Sequence, residues 1–472
     1  MIRTWRPDAR TAIWVGTAGA LALAAVVTAA SRRPDTMFLL MVALLGVAVM
    51  YLAWVHDPVW TFSGAMALTV FSGNWGYMGI PFGPDRGLFI LGVLAILLRA
   101  PGARDRALLE VRPVHWFLVA ALVWAIGSAL FAGTLSDTVA VYALTDQLGL
   151  LPFAAFILGG LIFSSEHHRR IFLGAMVGTG AYLGVIALLE TLGLTQLILP
   201  RYISNPDIGL HFGRARGPFL EAVAMGQALF ACAVAAAIAF YVWENRRARI
   251  FAAAVVALCL LGTLFTLTRS IWLASAVSII VTMAVTKQLR RFVIPTMVGG
   301  AVAVVAALVL IPGLSSSAEQ RQNEESPIWD RYNTNAAALR MIDERPLVGF
   351  GWGTFQTASI ERMWQAPDYP LINPGLRAHN VPLLFASELG LIGVTLWLMA
   401  FIAAVVATLF LRGPPEIEPW RIGLIAIAIH FAIVANFVPM SQAYPNMLVW
   451  LWAGLVYGAC RPYTRRRASS AS

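Results

Sequence analysis

Long apolar runs separated by short basic or irregular stretches set the pattern of the chain. They recur near residues 12–30, 37–54, 58–72, 87–98, 114–132, 148–163 and 170–190, and again near 222–243, 250–268, 270–286, 292–311, 388–411, 422–438 and 446–460. Most of them approach the roughly 20 residues that a helix needs to cross a bilayer. The pattern predicts an all-α polytopic membrane protein of about 12 to 14 transmembrane helices, the count depending on how many spans lie between 37 and 98. The first run follows Arg3, Arg6 and Arg10 but is long and is soon followed by another, which reads as a signal anchor rather than a cleaved leader.

Two intervals are too long to be turns, 191–221 and 312–387. In the second, Ser326 and Pro327 form a cap and first turn. Ile328, Tyr332, Leu339 and Ile342 then recur at helical spacing until Pro346 stops the helix, so one large extracytoplasmic helical loop is expected to lay that stripe on the bundle. The chain divides into N-terminal spans (1–190), a central region carrying both long loops (191–411), and C-terminal spans with a basic tail (412–472).

Composition sharpens this picture. Apolar residues make up 59% and charged residues 12%, against about 45–50% and 25% in soluble domains, so a soluble globular or disordered class is excluded. The net charge of +10 rests on arginine, with Lys287 the one lysine, and in such a chain basic residues set topology rather than bind nucleic acid. With the N-terminus in the cytoplasm, Arg169, Arg170, Arg246, Arg247, Arg249, Lys287, Arg290, Arg291, Arg412 and Arg421 share its side. Arg32 and Arg33 dissent. Cys232, Cys259 and Cys460 lie in apolar runs without metal-ligand spacing and read as packing residues.

Against this background a few polar residues stand out on the outer side. RARGPF leads into a span with Arg214 and Arg216 beside a helix N-terminus. Two guanidiniums and a helix end suit a diphosphate, although an arginine bound to a lipid phosphate accounts for them equally well. Arg269 interrupts two apolar runs in TLTRSIWLAS, where a cation needs a ligand or a route to the interface. Downstream, Asn380 is placed to cap a helix that begins with Pro382, with His379 just outside it. Arg377 and the positive helix end both favour a neutral imidazole, the form a general base requires. Glu388 can orient that ring or serve packing alone. Arg331 and Asn335 are one turn apart and are assigned to the face of the loop helix opposite its apolar stripe. Arg340, about 180° from Arg331, is turned from any site Arg331 shares. Gly349, Gly351 and Gly353 have no preceding strand and no phosphate-loop lysine, so they read as tight-turn or close-packing glycines. Glu166, His167 and His168 sit in a short turn and make a poor metal site. Asp146, Gln147 and His430 would be the residues to weigh for a transporter.

These residues resemble the O-antigen ligase and polymerase superfamily of bacterial membrane glycosyltransferases, through RARGPF before a span, TRSIWLA at a span start, RPLVGFGWGTF in the loop and HNVPLLFASELGLIG entering the next span. The resemblance runs from about 214 to 400. It implies a metal-independent, inverting transferase without cofactor, in the bacterial inner membrane with its site facing the periplasm. The donor would be a glycan on undecaprenyl diphosphate. The acceptor would be a saccharide hydroxyl, on lipid A core for a ligase or on a lipid-linked repeat for O-antigen or exopolysaccharide polymerisation. Arg216 and Arg269 would bind the diphosphate and His379 would deprotonate the acceptor. Arg331 would position substrate, with Arg214, Arg377, Asn380 and Glu388 in the binding shell. Membrane lipid is an expected partner and nucleic acid is not. A lipid-linked oligosaccharide flippase and a protein O-oligosaccharyltransferase are the alternatives.

Overall fold

The computed structural model describes residues 57–80, 83–97, 111–311, 315–316, 319, 326–363, 370–371 and 375–470. The spans expected near 12–30 and 37–54 lie outside them. Every regular element among the described residues is helical. In chain order the main helices are α1 Pro58–Leu68, α2 Pro84–Leu97, α3 Pro113–Ala132, α4 Thr138–Ile162, α5 Glu166–Thr191, α6 Ala222–Val242 and α7 Arg246–Phe265. They continue with α8 Arg269–Val285, α9 Arg290–Leu310, α10 Ser326–Glu344, α11 Val381–Leu409, α12 Pro415–Val434 and α13 Ala443–Ser470. Among the described residues eight helices, α3 to α7, α9, α11 and α12, are long and apolar enough to cross a membrane, while α8 is apolar but shorter. The chain is a multi-pass membrane protein, and the expected 12 to 14 spans compare with these eight plus shorter helices.

The basic clusters at 246–249, 287–291 and 412–421 fall at the turns and adjoining helix starts where α6 meets α7, α8 meets α9 and α11 meets α12. The alternation of helices therefore puts residues 192–221, 266–268 and the described residues between α9 and α11 at the opposite end, called here the loop end. Helix α6 is apolar all round and buried along nearly its whole length, as a central helix must be. Helices α4 and α13 touch backbone to backbone. A Cβ on Gly454 would sit 2.0 Å from the Phe156 carbonyl oxygen, and one on Gly458 would sit 2.1 Å from that of Gly160, so this Gly-x-x-x-Gly pair is what lets the two helices meet.

One feature of the fold fixes the long loop. Helix α11 breaks at Gly390 (φ 69°, ψ 179°), which frees backbone groups inside the bundle. The segment 346–351 pairs with them. Phe350 N donates to Ser387 O (3.0 Å), Gly351 N to Glu388 O (2.8 Å), Leu391 N to Pro346 O (2.7 Å) and Ile392 N to Leu347 O (3.3 Å). Trp124 Nε1 donates to Leu389 O (2.9 Å). At membrane depth an unmatched backbone group costs several kcal/mol, so the break exists only because the loop fills it. Gly349 has φ +69°, and a Cβ there would lie 2.5 Å from Glu388 O, which explains its identity. Trp352 completes the clasp by donating from Nε1 to Ala140 O (2.9 Å) and from its amide to Ser128 Oγ (3.1 Å).

Helix α10 forms as expected between Ser326 and the turn before Pro346, but it buries a different face. Tyr332 and Leu339 are each 52% exposed, while Asn333, Thr334, Ala337, Ala338 and Met341 are buried. Helix α10 packs on α11, and the small side chains make the close approach that the larger apolar stripe would block. Arg331 and Asn335 consequently flank the buried face instead of lying opposite it.

Candidate functional site

Arg269, Arg331 and His379 gather at the loop end, where the Arg269 charge acts on Arg331 and the Arg331 charge on His379. Arg269 is the first residue of α8, exposed, after an extended Thr268 whose side chain does not cap the helix. Ile271 N and Trp272 N both donate to Thr268 O (3.1 Å each), and the positive end of the helix adds to the Arg269 charge in favouring an anion there. Arg331 is half-buried on α10, its guanidinium 6.0 Å from the Phe437 ring centroid. Burial, reinforced by the Arg269 charge, lowers its proton affinity from the ordinary arginine value.

His379 stands just outside α11. Asn380 caps that helix as the sequence indicated, its side chain accepting from Leu383 N at 3.0 Å. Val381 N donates to Ala435 O (2.8 Å), which ties the helix start to the end of α12. Burial and then the Arg331 charge depress the imidazole pKa below its ordinary value, with Asp330 pulling the other way. The ring is thus held neutral near pH 7. Its Nδ1 is buried without a hydrogen-bond partner, as are Arg331 Nε and Asn335 Oδ1.

The other expected residues are placed differently. Arg216 is 1% exposed, and its guanidinium donates to the carbonyls of Ile208 (2.6 Å), Ile203 (3.0 Å) and Asn205 (2.5 Å) while lying over the Phe212 ring. The Glu190 carboxylate accepts from the amides of Arg216 (3.2 Å) and Gly217 (3.0 Å). Both terminal amino groups of Arg216 are thus engaged by the loop that carries it, while its Nε is buried without a partner. Arg214, half-buried, is the more accessible arginine of that loop. Ala215 N bonds Phe265 O (3.1 Å), joining the loop to the end of α7 just before Arg269.

Arg377 donates to Gln147 Oε1 (3.2 Å). Glu388 is 1% exposed and accepts from Phe355 N (3.0 Å), so its carboxylate supports the clasp and does not orient the imidazole. Asp146 pairs with Arg86 (2.8 Å), and His430 lies within 3.3 Å of Ser275 Oγ. Arg340 donates to Arg362 O (2.8 Å), on the side of α10 away from Arg331.

The comparisons address the same stretch. Residues 254–398 match the family model described as O-Antigen ligase. Over that stretch, about a third of the chain, the sequence is similar to O-antigen ligases. That supports its place in the O-antigen ligase/polymerase superfamily, whose members are generally glycosyltransferase-like. None of the curated proteins compared with the chain matches it. The matched span holds Arg269, Arg331, Asn335 and His379, as well as the clasp, and leaves out Arg214 and Arg216.

Among the described residues no group of three or more His, Cys, Asp or Glu side chains stands ready to hold a metal ion. Sequence reading passed over Asp330 and Phe437, which border His379 and Arg331. The only sign of Phe437 was an irregular polar stretch between α12 and α13.

Proposed function

We propose that this O-antigen ligase-like chain transfers an oligo- or polysaccharide from undecaprenyl diphosphate to an acceptor sugar hydroxyl at the periplasmic face of the bacterial inner membrane. The observation that carries the reading is the meeting of Arg269, Arg331 and His379 at the loop end, with the imidazole held neutral. The acceptor oxygen attacks the anomeric carbon on the face opposite the diphosphate, and His379 takes its proton. The bond from that carbon to the diphosphate oxygen breaks, and polyprenyl diphosphate departs with the electron pair. Arg269, the α8 N-terminus and Arg331 hold the charge that develops, and the proton on His379 passes to water. The anomeric configuration inverts. A diphosphate is already a good leaving group, so fixed cations and one base supply what the step needs without a metal. In this reading Arg216 serves the donor indirectly, by holding the loop that presents Arg214.

The purified protein in detergent is the test, supplied with lipid-linked donor and either lipid A core or a second lipid-linked repeat. Glycosylated acceptor is expected, undiminished by chelator, and cannot come from flipping because no second compartment exists. Folded protein that yields no product with either acceptor would overturn the reading. The glycans of a deletion strain then separate the two activities: polymer stranded on polyprenol marks a ligase, and single repeats mark a polymerase.

A further inference from the structure

The three buried atoms at this site that lack partners differ in what they ask for. Arg331 Nε carries a hydrogen to donate, Asn335 Oδ1 can only accept, and the neutral His379 Nδ1 accepts when its proton is on Nε2. Buried polar atoms are rarely left unmatched, and each such exception calls for a ligand, a water or a role. Arg331 links the set. It lies one turn from Asn335 on the same flank of α10, and its charge acts directly on His379.

A diphosphate offers only acceptor oxygens. It can satisfy Arg331 but neither Asn335 Oδ1 nor His379 Nδ1. Two hydroxyls on neighbouring carbons of a sugar offer the complementary set: one O–H to His379, a second O–H to Asn335, and a hydroxyl oxygen to receive Arg331 Nε–H. We infer that Asn335 and His379, with the Nε edge of Arg331, form the subsite for the acceptor sugar, in which Asn335 is a positioning residue that reads the hydroxyl beside the attacking one, while the Arg331 charge also serves the donor side with Arg269. Arg269, at the uncapped end of α8, then marks the donor side of the same site. This assignment rests on the transferase reading above and adds to it the residue that orients the acceptor.

The test is kinetic, on the full-length protein in detergent, with donor and acceptor varied separately in the assay described above. Replacing Asn335→Leu is expected to raise the acceptor KM about tenfold, the effect of one lost hydrogen bond in a buried site, and to leave the donor KM within about twofold. Asn335→Asp keeps an accepting oxygen at the same place and is expected to restore the acceptor KM to within about threefold of wild type. A purely structural role would give no such rescue. Should Asn335→Leu fail to fold, Asn335→Ser, whose hydroxyl falls short of the subsite, takes its place against Asn335→Asp. An unchanged acceptor KM in a folded Leu or Ser variant overturns the assignment, and so does a raised donor KM.

Calorimetric binding of the delipidated core oligosaccharide and of the delipidated repeat reads the same contact without turnover. Affinity for one of them is expected to fall about tenfold in Asn335→Leu. Equal affinities for wild type and variant overturn the subsite. Lack of product from wild type, with the binding difference intact, would sink the transferase reading and leave the saccharide site standing.

Discussion

Two arginines at the loop end, Arg216 and Arg331, differ in where their donors go. Arg216 sits in RARGPF and places its guanidinium on three carbonyls of its own loop. Arg331 rises from a surface helix, where its charge acts on His379 and feels that of Arg269, while Nε is buried without a partner in both arginines. A guanidinium whose amino groups are tied to loop carbonyls shapes that loop, and one beside a neutral imidazole is a place for substrate. The difference lies in the partners, which a motif does not display.

The largest effect that sharpens this comparison is at the base. His379→Ala is expected to lower turnover by about 10²–10⁴-fold, the usual contribution of a positioned proton acceptor, with the unfolding midpoint of the detergent-solubilised protein unchanged. Retained turnover would remove His379 from the chemistry and leave the cations without a purpose. Next come the arginines themselves. Arg269→Ala and Arg331→Ala should each cost about 10²–10³-fold in kcat at constant thermal stability, as expected of donors aimed at developing charge.

Arg216→Ala should behave the other way. It leaves three loop carbonyls without their charged donor, and a loss of about 3 kcal/mol or more of stability is expected, read as a lowered unfolding midpoint. Lysine at 216 should not repair it, since a single ammonium cannot span the three carbonyls that the planar fork reaches. A stable but inactive Arg216→Ala protein would erase the distinction between the two arginines and return Arg216 to the donor site.

The spans were legible because crossing a bilayer imposes a length and an apolar composition that the chain displays directly. The cap at Asn380 and the stop at Pro346 were legible for a similar reason, since both depend on neighbours within a few residues. What sequence pattern concealed depends on tertiary partners. Nothing local to Arg216 announces that Ile203, Asn205 and Ile208 will turn their carbonyls toward it. The break at Gly390 is affordable only because 346–351, some 40 residues earlier in the chain, fills it. Nor does the spacing of the larger apolar side chains show that α10 buries Ala337 and Ala338 against α11 while Tyr332 and Leu339 face outward.

The smallest expected effect concerns pH, and it probes the link between Arg331 and His379 directly. Burial and Arg331 hold the imidazole pKa below the ordinary histidine value of about 6.5. Because the neutral ring is the base, activity should persist as pH falls through 6.5 and decline only when the ring protonates below it. Removing a neighbouring positive charge makes imidazolium easier to form, so the folded pKa must rise. In Arg331→Gln the residual kcat/KM should therefore lose its acid limb at a higher pH than wild type, by some fraction of a unit for partly buried groups. Arg216→Gln, if it folds, should leave that limb in place, because Arg216 acts on its own loop and not on the ring. An acid limb that fails to move in Arg331→Gln, or that moves equally in both variants, would mean that the charge governing His379 comes from elsewhere and that the two arginines differ less than their hydrogen bonds imply.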